Sequence, residues 1–448
     1  MSAARQAAAA ASYPITMHGG DLDVVAVQGG RGITRGEFLA DVAALAKLLP
    51  ERVYILNLCA DRYRFMVGFA AAICRGQVSL LPPADAPGVL AAVAADYPGL
   101  YALADKALPE MACPVLAYPE HLAWAGATEV PEIPGGQPAL VLFTSGSTGR
   151  PVAVPKSWGV LVRSARAAGA RLGVAGLRGA TVIGTVPHQH SYGLESTIML
   201  GLQHGLAVHA GGLFYPADIR AAIEAAAGPR VLVTTPVHLR ALVAEAMPAV
   251  ALILSATAPL ERALAARAEA CFGGELVEIY GCTEAGQVAT RRTVRDEPWH
   301  CFEGADIRQD GRGSWASGAA VEGTALLQDE IELVGPGRFH LGGRAADLVD
   351  VAGKRTSIAH LNVLLLGIPG VQDGVFCLPE ADGRPVARLT ALVVAPGVSK
   401  AAILRALRAR VDAAFLPRPL VFVDSLPRNA LGKLPRAALL SLARGGKD

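Results

Sequence analysis

The sequence predicts an α/β protein: a large N-terminal domain of helix-covered sheets plus a small β region, followed by a small, mobile α+β domain. Short apolar stretches of strand length alternate with Ala-rich stretches of helical length through most of the chain, which is typical of parallel sheets covered by helices. Near residue 343 this alternation gives way to a compact, basic unit. The 448 residues also exceed the usual size of one compact core, so two domains are expected.

Composition excludes several classes of protein. Hydrophobic residues make up 52% of the chain and charged residues 18%, which is enough for a large core and excludes wholesale disorder. The net charge of +2 gives no argument for binding nucleic acid. Seven cysteines without a C-x-x-C pair predict a reduced, cytoplasmic protein with neither disulfides nor a zinc site. The most apolar stretch, residues 65–74, is too short to span a bilayer, and the Ala-rich start is expected to be a frayed terminus.

The predicted elements of the first domain follow one another in strand–helix order. A strand at 52–59 precedes a helix at 62–76 and a strand at 78–83 that is stopped by prolines. Four more buried strands are predicted at 179–187, 206–212, 230–236 and 249–256, with helices at 216–228 and 236–247 between them. In such folds ligands bind at the loops that follow the strand ends.

The end of the chain has a different organisation. Residues 306–339 are alternating and punctuated by Gly, which predicts a small antiparallel β region. The boundary is expected at about 343–346, between an N-terminal domain at 1–343 and a C-terminal domain at 344–448. The second domain includes an Ala/Arg-rich helix predicted at 400–414. It carries 15 Lys and Arg against 8 Asp and Glu, a charge of +7, so the remainder must be acidic.

A hydroxyl-rich loop, TSGSTG, follows the apolar run at 139–143. Its hydroxyl donors are Thr144, Ser145, Ser147 and Thr148, and Gly146 and Gly149 leave backbone N–H groups open to a polyanion. A Ser/Thr/Gly cluster alone is usually an ordinary surface turn. The loop lacks the Walker lysine, which argues against a P-loop ATPase.

Three more motifs follow in order: YGCTE at 280–284, the stretch 329–344, and PRNALGK at 427–433. Together with TSGSTG they resemble the adenylate-forming superfamily, which comprises acyl- and aryl-CoA synthetases, peptide-synthetase adenylation domains and luciferases. Segments at 32–49 and 64–83 also look like the early part of that family, so the resemblance covers nearly the whole chain.

The chemistry that the resemblance implies fits these residues. Attack of a carboxylate on the α-phosphate of ATP requires donors for the other phosphates, a divalent cation and a nearby positive charge. Glu284 is a hard oxygen ligand suited to Mg²⁺. By resemblance, Thr283 touches the α-phosphate, and Tyr280 stacks on adenine beside Gly281.

Further residues take roles that the resemblance implies. Asp329 precedes Arg344 by the spacing of the family's ribose-binding aspartate and its following arginine, although LLQD replaces the usual T-G-D context. Lys433 is expected to reach the carboxylate and the α-phosphate. Arg355 resembles a phosphate-contacting arginine, and Gly353 lies where the thiol tunnel passes in a second conformation.

The segment VPHQHSYG at 186–193 matches the family segment that precedes the acid pocket. His190 takes the histidine position and is expected to line or gate that pocket, with a packed core histidine as the alternative. His188 and Tyr192 are weaker candidates.

Three departures from the family pattern stand out. The loop normally continues G-x-P-K, but Val152 follows Pro151, and Lys156 is expected to reach the same phosphate. Ala346 stands at the hinge position and Asp350 where a lysine is usual. These departures put the hinge and the rate in doubt more than the nucleotide site.

The predicted function is ATP- and Mg²⁺-dependent activation of a carboxylic acid, with an aromatic acid favoured. The acyl group then passes to a phosphopantetheine thiol, with an acyl carrier protein favoured over CoA because the C-terminal domain is basic. The alternatives are an acyl- or aryl-CoA synthetase and, from another class, a degenerate, non-catalytic binder of nucleotide or carrier protein. The sequence does not identify the acid.

Overall fold

The computed structural model of the chain describes residues 11–82, 87–108, 111–123, 129–145, 151–295, 297–344, 348–351, 354–378, 389–408, 410–411, 413–428 and 434–445. These residues form the predicted α/β architecture, with two large sheets and several small ones. Within these ranges no helix combines the length and the apolar character needed to cross a membrane.

The first large sheet has six strands in the order β10-β9-β5-β4-β6-β7. They are β4 (Tyr54–Asn57), β5 (Val78–Leu81), β6 (Tyr101–Ala104), β7 (Val115–Ala117), β9 (Pro138–Ser145) and β10 (Pro151–Ser157). All neighbours pair in parallel except β9 and β10, which form an antiparallel edge. The loop TSGSTG therefore connects the last two strands at one side of this sheet.

The second large sheet has eleven strands in the order β21-β22-β17-β16-β15-β14-β13-β11-β12-β2-β3. They are β2 (Val24–Gln28), β3 (Arg31–Thr34), β11 (Thr181–Gly184), β12 (Ala207–His209), β13 (Arg230–Thr234), β14 (Leu252–Ser255), β15 (Glu275–Cys282), β16 (Gly286–Arg291), β17 (Trp299–Cys301), β21 (Asp329–Gly335) and β22 (Arg338–Arg344). Its centre, from β2 to β15, is parallel, and both flanks are antiparallel.

The helices before residue 273 flank these large sheets, and those after residue 357 pack in the last part of the chain. They are α1 (Arg35–Leu48), α2 (Arg62–Cys74), α3 (Pro87–Asp96), α4 (Trp158–Arg171), α5 (Ser191–Gly193), α6 (Leu200–His204), α7 (Pro216–Ala225), α8 (Pro236–Leu242), α9 (Arg262–Phe272), α10 (Ile358–Leu366), α11 (Lys400–Arg408) and α12 (Arg436–Gly445). A π-helical turn at Leu194–Met199 joins α5 to α6. Capping residues fix where two of these helices begin. Thr34 and Glu37 form a capping box at α1, and the Asp61 side chain caps α2 by accepting from the Arg64 amide.

The main core joins the two large sheets. Phe38 on α1, Phe65 on α2 and Trp158 on α4 are fully buried in one cluster with strand residues from both sheets, including Ile55 and Val208. A second cluster, with Ile219, Leu239 and Phe272 from α7, α8 and α9, covers the outer face of the eleven-stranded sheet. Burial of this kind is the main driving force for folding, and it fixes the strand ends that carry the site.

Small sheets complete the fold. Strands β1 (Ser12–Pro14) and β8 (Glu132–Pro134) pair with each other, and β18 (Asp306–Asp310), β19 (Gly313–Ser317) and β20 (Thr324–Leu327) form the predicted antiparallel region. After residue 344 come the pair β23 (Leu348–Val351) and β24 (Lys354–Ser357) and the sheet of β25 (Asp373–Cys377), β26 (Thr390–Val394) and β27 (Leu420–Phe422). A core of residues beyond 357, including Leu361, Phe376 and Ile403, belongs to this last part alone. A domain division at 343/344 stays a prediction.

Two helices end six and five residues before the predicted position. The helix expected at 400–414 ends at Arg408, where the Leu407 carbonyl accepts from both the Arg410 and Val411 amides, and a 3₁₀ turn follows at Ala413–Phe415. The helix expected at 236–247 ends at Leu242. Turns at Ala244 and Glu245, whose amides donate to the Ala241 and Leu242 carbonyls, then lead into β14.

Candidate active site

The motif YGCTE forms the tight turn between β15 and β16. Their last pair is Cys282 with Gly286, so residues 283–285 make the turn. A Cβ at Gly281 would lie 2.2 Å from the Gly286 carbonyl oxygen, and Gly286 itself has a φ of +79°. Both positions therefore require glycine. The turn that they permit leaves the side chain of Glu284 exposed.

The polar groups of this turn have partners behind it. The Lys156 Nζ donates to the Glu284 carbonyl oxygen at 2.7 Å. The Gln287 amide donates to the Glu195 Oε2 at 3.0 Å. The Ala285 amide donates to the Cys282 Sγ at 3.4 Å. The turn is thus held by contacts from β10 and from the π-helical turn, and not by the hairpin alone.

Burial shapes the electrostatics behind the turn. Lys156 is 2% exposed, and burial lowers the pKa of its ammonium while the nearby charge of Glu195 acts in the opposite direction. Burial also raises the pKa of the Cys282 thiol to about 11. Cys282 is therefore a protonated, structural thiol at neutral pH and not a nucleophile.

A hydrogen bond joins Tyr280 and Asp329, which belong to two of the motifs. The Tyr280 hydroxyl donates to the Asp329 Oδ2 at 2.9 Å, and its ring packs against Trp299 and Phe339 with centroid distances of 5.6 and 5.5 Å. Asp329 is also the register partner of Arg344 across β21 and β22. The spacing that predicted a functional pair thus corresponds to a cross-strand pair. The side chain of Arg344 lies outside the described residues.

Of the TSGSTG loop, the structure describes the first two residues. Thr144 and Ser145 close β9, and Ser145 pairs with Pro151 at the start of β10. Gly146, Ser147, Thr148 and Gly149 lie outside the described residues. Phosphate binding by this loop stays a prediction, as does the phosphate contact of Lys156. Val152 pairs with Thr144 and is 53% exposed.

The segment predicted to form the acid pocket, residues 186–193, follows β11. Ligands of parallel sheets bind at the loops beyond such strand ends. His190 is half-buried and precedes α5. His188 is buried: its ring packs against Phe65 at 4.5 Å, and its Nε2 lies 3.0 Å from the Cys59 carbonyl oxygen. Burial lowers the pKa of His188 to about 3, so it is neutral at pH 7. His188 is therefore a packed core histidine, and the pocket role of His190 stays a prediction.

Sequence reasoning missed Arg62, which supports this segment. The guanidinium is 2% exposed and donates to four backbone carbonyls, those of Gly184, Val186, His209 and Gly211. It thereby ties the ends of β11 and β12 to the start of α2. The contacts span 122 to 149 residues, so no local signal could have indicated them; the same holds for Glu195.

The C-terminal motif residues are only partly described. Arg428, which opens the PRNALGK motif with Pro427, donates to both carboxylate oxygens of Asp373 at 2.6 and 2.7 Å. This bidentate pair fixes the start of the motif to β25. Lys433 and Gly353 lie outside the described residues, as does the side chain of Arg355. Their roles stay predictions.

The turn has the chemistry to hold a magnesium ion. Among the described residues no group of three or more His, Cys, Asp or Glu side chains could hold a metal. Mg²⁺ at nucleotide sites usually takes only one or two protein carboxylates, with substrate phosphates and water as the other ligands. A single exposed carboxylate on a rigid turn, as at Glu284, fits that requirement.

Comparisons with known proteins agree with this geometry. Residues 50–305 match the family described as AMP-binding enzyme. A 4-coumarate–CoA ligase of Rhodobacter capsulatus is 31% identical over 302 residues, which is 65% of this chain and 74% of the relative. A 3-hydroxybenzoate–CoA ligase of Aromatoleum is 25% identical over 94% of each chain.

Solved structures share the fold. The o-succinylbenzoate CoA synthetase from Bacillus subtilis, in complex with its acyl-adenylate intermediate, has a TM-score of 0.80 at 18% identity, covering 93% of this chain and 95% of that one. The anthranilate CoA ligase AuaEII in complex with anthranoyl-AMP has a TM-score of 0.79 at 16% identity, covering 95% of each. At this identity the match concerns the fold.

Proposed function

The chain belongs to the AMP-binding enzyme family and is an AMP-forming acid–thiol ligase, and on that premise we propose that it activates an aromatic carboxylic acid for transfer to a phosphopantetheine thiol. The observation that carries the proposal is the hydrogen bond between Tyr280 and Asp329. It joins two motifs that are 49 residues apart, and this supports assigning the pair to one nucleotide site. A degenerate, non-catalytic binder would not need to keep Glu284 exposed on the adjoining turn.

The first step forms the acyl-adenylate. A carboxylate oxygen of the acid attacks the α-phosphorus of ATP, the bond to the bridging oxygen breaks, and pyrophosphate leaves. Tyr280 orients adenine, Asp329 binds the ribose hydroxyls, and Thr283 contacts the α-phosphate. Glu284 holds Mg²⁺, which when bound neutralises phosphate charge. The loop at Thr144 supplies donors to the outer phosphates, and Lys433 supplies a cation at the reacting oxygens.

The second step moves the acyl group. The C-terminal domain turns about residues 344–346, and the pantetheine thiol enters past Gly353. Its sulfur, as the thiolate, attacks the acyl carbonyl carbon. The carbon–oxygen bond to the phosphate breaks, and AMP leaves.

An aromatic acid is the substrate class that the relatives support. Those of similar sequence are named as ligases of 4-coumarate, 3-hydroxybenzoate and 4-chlorobenzoate. The pocket is built by the segment after β11, where His190 is the residue assigned to line it.

Carboxylate-dependent exchange between ATP and pyrophosphate tests the proposal. A panel of benzoates, cinnamates and fatty acids is supplied to the enzyme with MgATP, and Glu284→Gln serves as the inactive control. We expect exchange with aromatic acids above that with fatty acids. Nucleotide binding without exchange for any acid would instead support the non-catalytic alternative.

Two acceptors remain to be compared. The names of the relatives favour CoA. The charge of +7 in residues 344–448 favours an acidic carrier protein, which such a field would steer to the thiol tunnel. Mass spectrometry of acyl transfer to CoA and to a holo-carrier protein, at two ionic strengths, separates them. Loading of the carrier protein that is faster than loading of CoA and falls steeply with salt would identify the carrier protein, whereas salt-insensitive transfer to CoA alone would identify a CoA ligase.

A further inference from the structure

We propose that Lys156 and Glu195 are positioning residues that together hold the turn carrying Thr283 and Glu284 in the geometry that binds Mg²⁺ and the α-phosphate. This inference rests on the proposed function, because it concerns how the assigned metal ligand is oriented. Neither residue belongs to the motif that it supports.

The two side chains are buried charges of opposite sign directly behind the turn. Lys156 is 2% exposed and Glu195 is 4% exposed. Both line one small cavity of about 10 Å³, together with Ala285 and Gly286 of the turn. Burying two charges is costly, and an apolar pair of similar volume usually folds at least as well. Their presence here therefore calls for a role beyond packing.

Each charge holds a backbone group of the turn that the other could not hold. The Lys156 ammonium donates to the carbonyl of Glu284, the residue whose carboxylate is assigned to the metal. The Glu195 carboxylate accepts from the amide of Gln287, three residues further on. A flip of the peptide after Glu284 would break the first bond, and a shift of β16 would break the second. Together the two bonds restrict both the rotation and the sliding of the turn.

Hydrogen bonds around Lys156 and Glu195 lead to the other predicted substrate sites. Lys156 lies on β10, the strand that leaves the TSGSTG loop, and its neighbour Ser157 is fixed by Glu322, which accepts from its amide and its hydroxyl at 2.8 Å. Glu195 accepts from the Ser191 hydroxyl at 2.6 Å, immediately after His190. The turn is thereby held in register with the predicted phosphate loop and the predicted acid pocket.

The test compares Lys156→Met and Glu195→Gln with the wild-type enzyme. The first reading is the Mg²⁺ concentration for half-maximal ATP–pyrophosphate exchange, and the second is calorimetric binding of ATP with Mg²⁺ and of AMP without it. We expect the Mg²⁺ requirement to rise roughly ten- to a hundredfold in Lys156→Met, the effect of losing a hydrogen bond to a charged group, and by a smaller factor in Glu195→Gln, which loses the charge but keeps an acceptor oxygen. Binding of AMP without metal should stay unchanged, because Tyr280 and Asp329 are untouched.

Glu278→Gln is the matched control. Glu278 is 4% exposed, like Glu195, and lies on β15, the strand that enters the turn. Its carboxylate accepts from Arg291 and Thr293, away from the turn. This variant should lower thermal stability and leave the Mg²⁺ requirement unchanged. If Lys156→Met does not fold, as judged by circular dichroism, Glu195→Gln carries the test, because glutamine keeps the shape of the side chain but removes the charge that strengthens the bond from the Gln287 amide.

Two results would overturn the inference. A loss of stability without a change in Mg²⁺ requirement would make the pair purely structural. A higher KM for ATP at unchanged Mg²⁺ requirement would instead make Lys156 a phosphate ligand. Failure of the proposed function looks different: the wild-type enzyme would bind MgATP but show no exchange, and calorimetry would still report the metal effect in the variants.

Discussion

Replacing Tyr280 with Phe removes one hydroxyl and tests how the ribose site is built. In the structure this hydroxyl donates to the Asp329 Oδ2 at 2.9 Å, while the ring is held by Trp299 and Phe339. The substitution keeps the aromatic packing and leaves Asp329 without this donor. Because Asp329 is assigned to the ribose hydroxyls, its orientation is expected to loosen.

The magnitude follows from the chemistry of the bond. A hydrogen bond to a charged group contributes about 1.5–3 kcal/mol, and about 1.4 kcal/mol is a factor of ten. Asp329 is only partly buried, so water can replace part of the lost bond and the lower end applies. We expect the KM for ATP to rise about tenfold with kcat nearly unchanged, which is the signature of lost uniform binding.

The assay is the initial rate of exchange against ATP and against 2′-deoxyATP. Wild-type enzyme should prefer ATP, and Tyr280→Phe should reduce that preference. Tyr63→Phe is the matched control, because the Tyr63 hydroxyl donates to the Asp41 carboxylate at 2.6 Å in another part of the fold. A variant with lower kcat but unchanged KM and unchanged sugar preference would refute the argument.

The remaining predictions concern charge at other positions. Glu284→Gln should lower exchange by orders of magnitude at unchanged melting temperature, since the carboxylate is exposed; wild-type rates at ordinary Mg²⁺ would remove Glu284 from the metal site. Lys433→Ala should lose roughly 10²–10³ in adenylate formation but keep thioester formation from pre-made adenylate, and equal loss in both half-reactions would reject the two-conformation scheme. Burial lowers the pKa of His18 to about 4 and of His188 to about 3. Below about pH 6.5 the unfolded chain therefore binds more protons than the folded chain. The free energy of unfolding should decrease as the pH is lowered, by up to about 1.4 kcal/mol per pH unit for each histidine. Urea unfolding at several pH values measures this dependence. The free energy of unfolding of His188→Gln should change less with pH below 6.5 than that of the wild type, and an equal change would contradict the assignment.

Much of the fold could be predicted because its signals are local. Apolar runs of strand length marked the strands at Tyr54–Asn57, Val78–Leu81, Thr181–Gly184 and Arg230–Thr234, and each is a strand of a large sheet. The family resemblance is confirmed by the match of residues 50–305 to the AMP-binding enzyme family. Helix ends were less predictable, as residues 243–247 illustrate, because the tertiary turn before β14 outweighs helix propensity.

The site divides along the same line. Tyr280 and Asp329 were assigned from family motifs, but β15 and β21, which carry them, are separated by three other strands, so the sheet order does not account for the hydrogen bond between them. Arg62 and Glu195 carry no motif. Their functional contacts join residues about 90 to 150 positions apart, and only the packed structure shows that a buried guanidinium and a buried carboxylate hold the strand ends and the turn.

The departure at Val152 has a consequence for how phosphate charge is neutralised. Lys156 lies four residues further along the same strand, which is about 13 Å at the usual rise, and its ammonium bonds to the Glu284 carbonyl. A lysine side chain spans roughly half that distance, so one side chain cannot keep this bond and also occupy the space that a lysine at 152 would reach. Val152 is exposed but uncharged, so position 152 supplies no cation there. We therefore expect charge on the outer phosphates to be balanced by the metal assigned to Glu284 and by a cation of the C-terminal domain such as Arg355. Val152→Lys should therefore lower the Mg²⁺ concentration for half-maximal exchange, and an unchanged requirement would mean that the phosphates do not pass this strand.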